Sequence, residues 1–183
     1  TWLYPSENDC MRCHTPTAGF SLGPETSQLN GHLIYPGTNR TSNQLTTLAG
    51  IGMFSAPLPG APATLPALPD PADTSEPLGN RARAWLHTNC SQCHRPTGPT
   101  PSNMDLRYGT ALPATNVCDV APQAGNLGIA DARLIAPGDA SRSVIISRMN
   151  RRDAQGMPPL GSSQVDAAGV SLLTAWVGSL GGC

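Results

Sequence analysis

Apolar positions along this chain gather into short periodic runs separated by long stretches without period. The clearest run closes the sequence: Val165, Gly169, Leu172, Leu173, Trp176, Val177 and Leu180 share one face at helical spacing, and Gly181-Gly182 end it. A second run, Leu78, Ala82, Trp85 and Leu86, leads directly into Cys90. It predicts a helix over 78–92 that packs across the terminal one. Between them Asp139 follows the Pro137-Gly138 break and is placed to cap a short helix through Ser143, Val144, Ile145, Ile146 and Met149. In the first 55 residues only Gln44-Leu45-Thr46-Thr47-Leu48 carries a helical signal, and residues 19–43 and 96–136 read as loop.

Composition sharpens that picture. Pro and Gly reach 19 each in 183 residues and aromatic content is 4%, so the backbone is rich in turns and its side chains fill an interior thinly. Residues 56–76 hold six prolines, among them Pro57, Pro59, Pro62 and Pro66, a density that favours extended backbone and predicts a linker strapped over the surface. The expected organisation is therefore a short module over 1–55, a Pro-rich linker over 56–76 and a domain over 77–183. Net charge is −1 and no Lys/Arg block occurs, which speaks against nucleic acid as a partner. No stretch approaches the roughly 18 apolar residues of a membrane span.

The six cysteines carry the chemistry. Cys10-Met11-Arg12-Cys13-His14 and Cys90-Ser91-Gln92-Cys93-His94 are two copies of Cys-x-x-Cys-His, and Thr15-Pro16-Thr17 and Arg95-Pro96-Thr97 follow them alike. Two thiols three positions apart on a helical turn each form a thioether to one haem vinyl group, and the adjoining His reaches the iron. Structural zinc and a thioredoxin-like dithiol are the other uses of Cys-x-x-Cys. The His that follows both copies at once, and the lack of strand–helix alternation around them, favour two covalently bound haem c groups. The expected fold is accordingly mainly α with extensive loops: a C-terminal cytochrome c-type fold plus a short N-terminal haem-binding module.

With His14 and His94 as proximal ligands, function turns on the sixth position of each iron. For the second haem the candidate is Met157 in Gly156-Met157-Pro158-Pro159-Leu160, with Met149 and Met104 as alternatives. For the first haem two His remain: His32, in a loop shortly after the motif, and His87, three residues before Cys90. Met53 is a further alternative. Cys118 and Cys183 are left as a disulfide pair, within one chain or between two.

The runs Leu22-Gly23, Gln28-Leu29-Asn30, Asn43-Gln44-Leu45 and Gly52-Met53-Phe54 after the first motif resemble the first-haem module of a family of bacterial di-haem c-type cytochromes. Arg81 to Leu86, Met104-Asp105-Leu106-Arg107, Pro137-Gly138-Asp139, Arg148-Met149 and Met157-Pro158-Pro159-Leu160 resemble the same family's C-terminal half. Its members occur alone or as modules of larger exported proteins, and the resemblance implies electron transfer.

The expected function is electron carriage outside the cytoplasm, in the periplasm or beyond, with redox proteins as partners and no membrane span. Covalent haem attachment in bacteria takes place outside the cytoplasmic membrane, so the sequence from Thr1 is read as one whose signal peptide has been removed. The alternative is an enzyme of the di-haem peroxidase type, with one open-coordination haem. Charged residues make up 13%, against a usual share of roughly 25%. So little repulsion opposes assembly into a homo-oligomer or filament, the other outcome being a monomer or dimer that shuttles by diffusion.

Overall fold

The computed structural model describes residues 4–183. In chain order these form α1 (Glu7–Cys10), α2 (Thr26–Leu29), strands β1 (His32–Tyr35) and β2 (Arg40–Asn43), then α3 (Gln44–Gly50), α4 (Leu78–Cys90), α5 (Val144–Met149) and α6 (Ala167–Ser179), with short 3-10 turns between some of them.

This corrects the expected fold class. The chain is not mainly α and does not present a cytochrome c-type fold with a helical core: only 33% is helical, and β1 and β2 form a two-stranded antiparallel sheet. The fold is mixed α/β with long loops. Proline removes backbone donors and glycine weakens helix interiors, and among the described residues only two helices are longer than two turns. Asn39, Asn116, Asp119 and Asp131 add left-handed backbone in the loops.

Two compact units make up the chain: one runs to Leu22 and resumes from Asp70 to Cys183, the other is Gly23–Pro69. In the smaller unit β1 pairs with β2 in the register His32 with Asn43 to Tyr35 with Arg40. The turn between them closes with the Asn39 amide donating to the Tyr35 carbonyl at 2.8 Å. Asn43 ends the hairpin and caps α3, its Oδ1 accepting from the Leu45 amide at 2.9 Å, and Leu45 is fully buried. The Asn30 amide group donates to the Pro62 and Leu65 carbonyls at 2.8 and 3.0 Å, which fastens part of the proline-rich stretch into this unit.

The larger unit is organised by α4 against α6, the packing that the apolar stripes predict. Ala82 and Leu86 of α4 meet Leu173, Trp176 and Val177 of α6 in a core completed by loop residues such as Val117, Leu134 and Ile135. Asp166 caps α6 by accepting from the Gly169 amide at 2.9 Å, and its other oxygen accepts from the Trp85 indole at 3.0 Å. Asp139 caps the 3-10 turn Ala140–Arg142, just ahead of α5, rather than α5 itself. The loop after the second motif is ordered around buried Asp105. The Arg107 guanidinium, with help from the Thr110 hydroxyl, holds its carboxyl down to about 2.

Candidate functional site

Both Cys-x-x-Cys-His segments use one local design. A helix ends on the first cysteine, α1 on Cys10 and α4 on Cys90, and the chain makes one more turn. In that turn the His14 and His94 amides donate to the Cys10 and Cys90 carbonyls at 3.0 and 2.9 Å. Residues three apart on such a turn share a face, so each pair of thiols stands on one side of its helix end. α1, four residues long, is held by a capping box: Ser6 accepts from the Asp9 amide while Asp9 accepts from Ser6.

The two segments also touch. Thr17 Oγ1 donates to the Thr97 carbonyl at 3.0 Å, and Gln92 Nε2 donates to the Leu22 carbonyl at 3.2 Å. Cys13 of the first segment and Cys93 of the second line the same cavity walls. Burial pushes the Cys90 thiol up to about 12, and burial together with the neighbouring Cys13 pushes Cys93 up to about 11. Thiols held protonated in this way are the opposite of a reactive dithiol, whose thiolate is stabilised.

Around His94 the structure is hollow. A cavity of about 320 Å³ lies along Cys93, His94, Met104, Met149 and Met157, and a second of about 470 Å³ lies along Trp85, Cys93, His94, Met157 and Arg152. Burial, with the Arg148 guanidinium nearby, pushes the His94 imidazole down to about 4, so it is neutral at physiological pH. Its Nδ1 is buried without a hydrogen-bond partner. His14 differs: it is exposed, and its Nδ1 donates to the Phe20 carbonyl at 2.5 Å, which leaves Nε2 as the ring nitrogen available to a metal.

Comparison with protein-family models, with curated proteins and with solved structures finds no match to this chain. The site therefore has to be judged on its own chemistry. A haem iron takes one or two ligands from the protein, here a neutral imidazole with thioethers within reach, and asks for a largely apolar cleft. The surroundings of His94 fit that requirement: two thiols on one helix end, a neutral imidazole, two adjoining cavities and three methionines on their walls. Among the described residues no three His, Cys, Asp or Glu side chains gather closely enough to hold a bare metal ion, an arrangement that haem does not need.

The other candidates are dispersed. His32 is exposed, the first residue of β1 rather than part of a loop, and with Met53 it belongs to the Gly23–Pro69 unit. His87 is buried in α4, and its Nδ1 accepts from the Tyr108 amide at 3.1 Å. That bond places the proton of the neutral ring on Nε2 and ties α4 to the following loop. Cys118 and Cys183 form a disulfide within the chain, with Cα atoms 5.8 Å apart. The sequence reading missed Arg12 and Arg148 on the wall of the first cavity and the Phe20 carbonyl beneath His14. Gly19 and Phe20, both with positive φ, form the turn that aims this carbonyl, and Gly19 was the one sign of it in the sequence.

Proposed function

We propose that this chain is a di-haem c-type cytochrome that carries electrons outside the cytoplasm between redox partner proteins. The observation that carries the reading is the duplication: two Cys-x-x-Cys-His segments with the same backbone turn, in contact within one unit, the second opening on cavities lined by Met104, Met149 and Met157. A bound haem supplies an iron that takes up and returns one electron. The chain does the rest: Cys10, Cys13, Cys90 and Cys93 tether, His14 and His94 ligate, and the Phe20 carbonyl fixes which nitrogen of His14 faces the metal.

Residues of the second site bring Met157 to the cavity wall, where its amide donates to the Arg148 carbonyl at 3.0 Å. The contact between Thr17 and Thr97 favours two groups near enough for transfer inside one chain. The disulfide and the absence, among the described residues, of any helix long and apolar enough to cross a membrane are in keeping with an exported protein.

Mass spectrometry after acid-acetone extraction tests the proposal. Protein produced with a haem-attachment apparatus is expected to exceed the polypeptide mass by two haem groups. A mass equal to the bare polypeptide overturns the reading. Low-spin spectra at both haems separate a carrier from the peroxidase-type alternative, which would show a high-spin component that binds cyanide.

A further inference from the structure

Of the two cavities along His94, the second sets Arg152 beside Asp166, whereas the first, on the side of Met104, carries charge of one sign. Arg12 and Arg148 line it, and no Asp or Glu does. Arg148 is fixed by neutral partners, its Nη1 donating to the Gln155 carbonyl at 2.9 Å and its Nη2 to the Ala124 carbonyl at 2.6 Å. The ion pairs among the described residues, Arg107–Asp105, Arg133–Asp119 and Arg151–Asp153, involve neither Arg12 nor Arg148. Arg12 has a further peculiarity: it belongs to the first motif yet lines the cavity of the second.

The first motif stands in the opposite setting. His14 is exposed, Met11 and Phe20 beside it are 46% and 54% exposed, and α1 brings Glu7 and Asp9 up to Cys10. Water and acidic neighbours stabilise the ferric, more positive state of a haem. An enclosed site with nearby cations stabilises the ferrous state.

We propose that Arg12 and Arg148 hold the haem attached through His94 at a higher reduction potential than the haem attached through His14, making the exposed first motif the port for electrons and the second the site where they settle. The inference rests on the di-haem reading above. The half-reaction concerned is uptake of one electron by ferric iron, supplied by the titrating reductant, with no bond made or broken. Through the Arg12 side chain the first motif itself becomes a determinant of the second group's potential.

Spectropotentiometric titration of the holoprotein tests this. The wild type is expected to titrate in two steps. Arg148→Gln should lower the upper midpoint and leave the lower one in place. Arg12→Gln should lower the upper midpoint and, because Arg12 also adjoins Cys13 and His14, shift the lower one too. Arg148→Lys should retain the upper midpoint because the charge remains, and Arg133→Gln, which lines neither cavity and is paired with Asp119, should move neither. An upper midpoint unmoved in both Gln variants, or a shift confined to the lower step, overturns the proposal. Arg12 is exposed, so its variant decides the matter if Arg148→Gln fails to fold. Mass analysis of each variant keeps the two proposals apart, since protein without covalent haem refutes the underlying reading and a two-haem protein with unshifted midpoints refutes only this one.

Discussion

At the scale of single residues the two histidines of the motifs are prepared differently for the same task. His14 is oriented by a hydrogen bond to the Phe20 carbonyl on an open surface, whereas His94 is kept neutral by burial and left with an unpaired Nδ1. A buried polar atom without a partner costs about 1–3 kcal/mol, so the two rings differ in how firmly each is held. Among the methionines on the cavity wall beside His94, Met104 and Met149 are buried in the core and Met157 is half-buried on a loop. A core methionine is tied up by packing, while a loop methionine is available to swing onto a metal. The Met157→Ala variant is therefore expected to lose the weak charge-transfer absorption of a methionine–iron bond and to lower the upper midpoint, because Met/His ligation raises it. An unchanged spectrum and midpoint would assign the position to Met149 or Met104.

At the scale of elements the contact between α4 and α6 is set by glycines as much as by apolar residues. A Cβ on Gly169 would lie 2.5 Å from Cε2 and 2.6 Å from Cζ2 of Trp85, whose indole is bound to the cap residue Asp166. The Gly169→Ala substitution should cost about 1–3 kcal/mol through overpacking, read as a lower midpoint in chemical denaturation. Gly178→Ala, on the same helix with nothing within 4 Å, should instead be neutral or stabilise by up to about 1 kcal/mol. Equal effects at the two positions would mean that helix propensity, not the Trp85 contact, governs this interface. Both long helices were legible in the sequence because their stripes repeat over three turns and each has one partner. The hairpin was not: Leu33, Ile34 and Tyr35 make too short a run to show a period, and Asn43 serves both as strand end and as helix cap. The cysteine and histidine positions of the site were likewise readable from spacing. Arg12 and Arg148 were not, since their place on one cavity wall depends on loops that bring residues 136 positions apart together.

At the scale of the whole molecule, a chain with few long helices and many loops pays a large conformational entropy on folding, and cross-links weigh heavily in such a case. The Cys118–Cys183 bond joins residues 65 apart and ties the last residue of the sequence to the loop that follows the second motif. Cys118 itself bridges to Ile135, a fully buried core residue, so the bond anchors the end of α6's connection directly to the core. On the chain-entropy model, closing a loop of this length restricts the unfolded ensemble by roughly 4 kcal/mol. The Cys118→Ser/Cys183→Ser double variant should therefore unfold at a clearly lower denaturant concentration, with a stability loss of roughly 4 kcal/mol. Mild dithiothreitol should reproduce the loss in the wild type, since Cys183 is exposed and thioether links to haem resist a thiol reductant. The reagent thus separates the two kinds of cysteine in one experiment: stability falls while the haem stays attached. A reduced protein with an unchanged midpoint would mean that the unfolded chain is already restrained near Cys118 by the haem proposed at Cys90 and Cys93, which lie only 25 to 28 positions before it.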